Sequence, residues 1–224
     1  MQVSKLSLSC MKMYLFKTPW WLKKLYSSYI WHIKTNEKVL YLSFDDGPHP
    51  VATPFVLDKL KEYNAKATFF CIGKNVKAFP DIYKGIQEEG HSVGNHTNNH
   101  LNGWKTSKDV YLNDIAEAAN IIDSALFRPP YGRITKKEAG FIKKAMNNPR
   151  AEIIMWSLLS GDFDAGNTKE RCFDNIIKNA KEGSIIVFHD SEKAFPIMSS
   201  ILEETLKYFS KKGFRFDPLE SAFS

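Results

Sequence analysis

The stretch SFDDGPHP, residues 43–50, closes a hydrophobic run, VLYLSF (39–44), with two adjacent carboxylates, Asp45 and Asp46, and a Gly-Pro turn. The run lacks the two-residue alternation of a half-exposed strand, so it reads as a strand buried on both faces, the kind found in parallel sheets. Two like charges side by side at its end repel, and each needs a separate partner. Further runs of the same kind would settle the fold, and residues able to partner the two aspartates would settle the site.

Working outward, short apolar runs recur at 66–71 (KATFFC), 91–95 (HSVGN), 125–128 (ALFR), 152–158 (EIIMWSL), 184–189 (SIIVFH) and 214–216 (FRF). Helical patterns lie between them at about 54–63, 75–89, 107–122, 135–147, 168–181 and 194–212. Thr53 before Pro54 predicts an N-cap, and Thr135 with Glu138 and Thr106 with Asp109 have capping-box spacing. Gly90, Gly183 and Gly213 stand just past helix ends, as left-handed caps do. Strand-helix alternation repeated this often predicts an α/β fold, a parallel sheet of about seven strands with helices outside, either open or closed into a barrel.

The 224 residues suit one domain with a sizeable core, and 43% hydrophobic residues exclude a disordered chain. The net charge of +6 is spread along the sequence, with no basic block of the kind that tracks nucleic acid. Cys10, Cys71 and Cys172 are too far apart for a disulfide scaffold or a cysteine zinc site, and Cys71 reads as a buried apolar residue. No run approaches the roughly 18 apolar residues that span a bilayer, and lysines interrupt the N-terminus where an export signal would be continuous, so compartment stays open between cytoplasm and cell envelope. Residues 1–37 read as an extension, its first ten residues extraneous and a start at Met11 or Met13 equally plausible, and 38–224 as the catalytic domain. Within the extension, PWWLKKLYSSYIWHI would form a basic amphipathic helix with Trp21, Leu25 and Tyr29 on one side. Such a stripe is expected to pack on the domain as core rather than lie on a membrane.

The unusual polar residues fall at one end of the predicted strands. Asp45 and Asp46 end the first, His96 and His100 the third, Arg128 the fourth; Asp162 follows the fifth, and His189 with Asp190 ends the sixth. In parallel α/β folds these ends share the face that carries the active site. HTNNH (96–100) spaces two histidines four apart, so on a helical turn both rings project the same way. Two histidines and one carboxylate make an open metal site. One aspartate can then ligate a cation while the other stays free to take a proton from water, steadied by Arg128 in the rigid turn RPPYG. His189, closing a buried strand, suits a general acid oriented by Asp162. Asp190 and Asp164 read as loop or cap residues.

In combination, SFDDGP, HTNNH, RPPYG and VFH, in this order over residues 38–216, resemble the polysaccharide deacetylases of carbohydrate esterase family four, which include chitin-oligosaccharide and peptidoglycan deacetylases. The resemblance implies a distorted (β/α) barrel and metal-dependent removal of N-acetyl groups from a carbohydrate. It implies Asp45 as base; Asp46, His96 and His100 as ligands of a divalent metal, zinc or else cobalt, manganese or nickel; and Arg128 as the tether of Asp45. It further implies His189 as acid, the Tyr131 backbone N–H in the oxyanion hole, and Val187 lining the pocket for the acetyl methyl. The sequence departs from the family at WSLLSGDFD (156–164): Leu159 replaces an expected Asp and Phe163 a Trp, while Asp162 is kept. The chemistry is then intact and the substrate pocket altered. An O-acetyl esterase, a non-sugar amidase or a non-catalytic carbohydrate-binding relative are the alternatives.

Overall fold

Along β1 (Val39–Asp45), every residue is buried, and its neighbours differ by parity. Leu40, Leu42 and Phe44 join one apolar cluster with the surrounding helices, whereas Val39 and Tyr41 join another inside the curve of the sheet. Both faces are therefore covered, which is what the unbroken apolar run required. The computed structural model describes residues 16–223. In chain order α1 (Trp20–Leu25) precedes β1. There follow α2 (Ala52–Glu62), β2 (Ala67–Cys71), α3 (Gly73–Ala78), α4 (Pro80–Glu88), β3 (Ser92–Asn95), α5 (Lys108–Ala119) and β4 (Leu126–Phe127). Then come α6 (Lys136–Ala139), α7 (Ile142–Ala145), β5 (Glu152–Ile153), β6 (Leu158–Leu159), α8 (Lys169–Asn179), β7 (Ile185–His189), α9 (Phe195–Lys211) and β8 (Arg215–Phe216).

All strand pairs are parallel, in the order β5-β4-β3-β2-β1-β7-β6, with β8 on the start of β1. The sheet curls into the distorted (β/α) barrel that the family resemblance implies. The run at 152–158 supplies two strands because it serves both edges. The Ile154 N–H donates to Phe127 on one side, and the Ser157 N–H donates to Ile185 on the other. The segment around 16–33 covers the remaining edge: Thr18 N–H donates to Ser157, Leu159 N–H to Phe16, Ile30 N–H to Ile153 and Ile33 N–H to Gly183. Here the helix is shorter than expected. It stops at Leu25, Tyr29 and Trp31 turn into the core, and Trp21 and Leu25 stay 55% and 56% exposed. Cys10 and the alternative starts lie outside the described residues.

The predicted helix 75–89 breaks into α3 and α4 at Phe79, which precedes Pro80 and takes φ −131°, ψ 59°; a proline forces its predecessor out of the helical region. The capping box of Thr135 and Glu138 is formed. Thr106 is not a cap, since α5 begins after Ser107, whose side chain makes no cap bond. Thr53 is not one either. α2 begins at Ala52, and the His49 Nδ1 accepts from the N–H groups of Val51 and Ala52 at 3.3 and 3.1 Å. Gly90, Gly183 and Gly213 are left-handed, with φ between 73° and 79°.

Candidate active site

The C-terminal end of β1 delivers Asp45 into the barrel and bends at once. Asp46 takes φ 83°, a left-handed value that costs a non-glycine residue energy and clusters at functional sites. The bend turns the two carboxylates apart. Asp45 is buried, and its Oδ1 accepts from Arg128 Nη1 at 2.6 Å. The guanidinium is fully buried and nearly saturated: Nη1 also donates to Ser43 Oγ, Nε to the Ile154 carbonyl and Nη2 to the Met155 carbonyl. Its plane lies 3.9 Å from the centre of Phe70. Burial pulls its pKa down, and Asp45 acts against that. A charge pair this deep holds only because its remaining donors are bonded.

Asp46 faces the other way. Its Oδ1 lies 3.1 Å from His100 Nε2 and 3.7 Å from His96 Nε2. Among the described residues, Asp46, His96 and His100 are the one group whose three donor atoms all fall within 4.8 Å of one another. The donors suit a divalent cation. His96 Nδ1 lies 2.8 Å from the Arg128 carbonyl, which fixes the proton there and leaves Nε2 with its lone pair toward Asp46. Burial pushes His96 down to about 4, so it is a neutral imidazole at neutral pH. Burial opposes the Asp46 charge, but the His100 hydrogen bond and the neighbouring imidazoles hold its carboxyl well below the usual range.

The two histidines do not converge on a helical turn as their spacing predicts. Residues 96–100 form a loop in which Thr97 and His100 take φ 63° and 57°. Polar clamps hold it. Asn95 Oδ1 accepts from the Thr97 N–H, and Asp114 on α5 accepts from the N–H groups of Asn98 and Asn99 and from the Asn99 amide.

His189 ends β7 beside Asp45, its partner in register. Asp162 grips it twice, accepting from the His189 N–H at 2.8 Å and lying 2.8 Å from its Nδ1. Burial works against the imidazolium, but the Asp162 charge outweighs it and raises His189 to about 9. Phe163 packs edge-on against the ring, 5.0 Å between centres. Val187 is buried on β7, paired in register with Leu159 and Ser43. Tyr131, left-handed at φ 60°, sets its ring 4.6 Å from His100.

Three residues have roles that the sequence did not show. Ser43 shares Nη1 of Arg128 with Asp45, and its parity with Asp45 on β1 was the available signal. Asp190 does lie in the loop just past β7, but it is more than a loop residue. It is fully buried, accepts from the Gly47 N–H at 3.0 Å and from Thr53 Oγ1 at 2.5 Å, and so ties the end of β7 to the turn after Asp46. Burial raises its pKa to about 8 against the Thr53 hydrogen bond. A side chain at Gly47 would collide with that carboxylate, which explains the glycine in DDG. Thr53 owes its place to Asp190 rather than to capping. Asp164, by contrast, is a turn residue, accepting from the Gly166 N–H.

The polysaccharide deacetylase family profile matches residues 32–147. A peptidoglycan-N-acetylglucosamine deacetylase of Bacillus cereus is 36% identical over 198 residues, 83% of this chain and 88% of its own. A chitooligosaccharide deacetylase of Azorhizobium caulinodans is 34% identical over 165 residues, 70% of this chain and 76% of its own. The crystal structure of the Bc1960 peptidoglycan N-acetylglucosamine deacetylase superposes with a TM-score of 0.81 at 33% identity, over 92% of this chain and 96% of that one. The aspartate pair on β1, the histidine loop after β3 and the arginine after β4 all lie inside the matched segment, and with the shared barrel they make this chain a member of the polysaccharide deacetylase family.

Proposed function

We propose that the chain hydrolyses the N-acetyl group of an amino sugar in a peptidoglycan- or chitin-type glycan, using a divalent cation, zinc foremost, held by Asp46, His96 and His100. The observation that carries this reading is the division of the aspartate pair, one carboxylate on an arginine and the other on two histidines. When bound, the cation supplies a Lewis acid that acidifies water and polarises the acetyl carbonyl.

The remaining work belongs to side chains of this protein. Asp45 is the base: Arg128 fixes Oδ1, and its other oxygen takes the proton of the attacking water. The Tyr131 N–H donates to the developing oxyanion. His189, protonated at neutral pH because Asp162 backs it, gives its proton to the departing amine. Phe163 and Val187 wall the space for the acetyl methyl. The non-catalytic alternative predicts loss of at least one of these groups, and all are present.

Acetate release from N-acetylated chito- and muroglycan oligomers, in the presence of zinc, cobalt, manganese or nickel, tests the proposal. O-acetylated xylan and non-sugar acetamides belong in the same panel, since the site chemistry serves esters and amides alike. Release from the amino sugars that disappears in Asp45→Asn supports it. A panel with no release, or release untouched by Asp45→Asn, contradicts it.

A further inference from the structure

We infer that α1 and the lysines around it are a docking face for an anionic membrane surface, and that the chain sits on such a surface with its Asp46 cluster turned away. None of the residues of α1 is buried, and Trp20, Trp21 and Leu25 are 75%, 55% and 56% exposed. Single exposed apolar side chains are ordinary, but two tryptophans and a leucine within six residues form a patch. Helical spacing puts Trp20 and Trp21 beside Lys24 and Leu25.

The patch is held firmly rather than hung on a tail. On one side Thr18 donates from N–H to Ser157 and from Oγ1 to the Trp156 carbonyl. On the other, Tyr29 and Trp31 are buried, with the Trp31 indole N–H on the Tyr26 carbonyl. Leu22 packs inward against the same cluster. What stays outside is therefore the face the fold leaves over.

Lysines gather around it. Lys17, Lys24 and Lys181 are exposed and Lys23 half-buried. Among the described residues none of the four has a carboxylate within ion-pair distance. Three of them are close enough to interact: burial first, then the charges of Lys181 and Lys17, lower the Lys23 pKa. Like charges gathered beside bare indole rings match a partner that is anionic and apolar at once. A bilayer interface rich in acidic lipid offers both, since indoles settle at the headgroup level and lysines gain from the surface potential. No helix of the described residues is long and apolar enough to cross a membrane, so the contact is one of lying on the surface.

The orientation follows from the sheet. Lys181 precedes β7, and Ile33, a few residues after α1, bonds to Gly183 at the same N-terminal strand end. His189 and Asp45 stand at the opposite end of β7 and β1. A glycan on the far side from the bilayer would face the site.

The test is co-sedimentation of the full chain with vesicles of phosphatidylcholine alone or mixed with phosphatidylglycerol. Binding should need the anionic lipid, weaken as salt rises, and fall about tenfold or more in Trp20→Ser/Trp21→Ser. The variant's melting temperature, unchanged because both rings are exposed, excludes unfolding as the cause. Absence of binding, equal binding to both vesicle types, or binding untouched by the double substitution overturns the inference. So does vesicle binding that heparin competes away equally from wild type and variant, which marks a patch that reads charge alone. Acetate release does not enter these readouts, so they stand apart from the fate of the proposed activity.

Discussion

Arg128 is buried among main-chain carbonyls with the Asp45 carboxylate as its counter-charge. Arg128→Met removes the guanidinium and leaves the Asp45 carboxylate buried and unpaired, a loss of about 3–5 kcal/mol of stability. Denaturant unfolding should show it, with part of the loss recovered in Arg128→Met/Asp45→Asn. His189 gives a second expectation. If His189 is the general acid it works while protonated, so activity should fall as pH rises through its pKa, which Asp162 raises to about 9 and a cation at Asp46 would draw back down. Asp162→Asn removes the raising charge, and the descending limb of the pH profile should move to lower pH by about one unit or more. An unmoved limb would assign that limb to another group. At this scale the sequence was informative where a residue type is scarce, as with paired aspartates or an arginine before two prolines. It did not show the roles of Asp190 and Ser43, which depend on which face of a strand or turn they occupy.

The histidine loop shows how an element can be predicted for the wrong reason. Spacing of four suggested a helical turn, and the structure reaches the same convergence with left-handed residues at 97 and 100, pinned by Asp114. Asp114 lies on α5, distant in sequence, so nothing local announces the clamp. Asp114→Ala should loosen the loop and weaken metal affinity about 10- to 100-fold with little change in helix content. Titration calorimetry with zinc and far-ultraviolet dichroism measure the two effects. The same limit explains the helix breaks. Pro80 marked one, whereas the transfer of the cap on α2 from Thr53 to His49 follows from the buried bond of Thr53 to Asp190.

For the whole molecule, strand-helix alternation made the parallel sheet legible, because burial on both faces leaves continuous apolar runs. Closure was not legible. The run 152–158 divides between two edges, and the segment from Phe16 to Ile33 covers what it leaves open, both matters of long-range pairing. The buried Trp31 is the test of that covering role. Trp31→Ala should remove about 3–5 kcal/mol and lower the melting temperature by about 10 °C. A change near zero would mean that the segment is an ornament on a self-sufficient barrel.

The expectations for the site rest on the two aspartates of DDG having separate duties. The direct measurement is metal content of purified Asp45→Asn and Asp46→Ala, taken together with acetate release. Asp45→Asn should retain wild-type metal and lose turnover, while Asp46→Ala loses both. Equal loss of metal in the two variants, or metal retained in Asp46→Ala, would contradict the account.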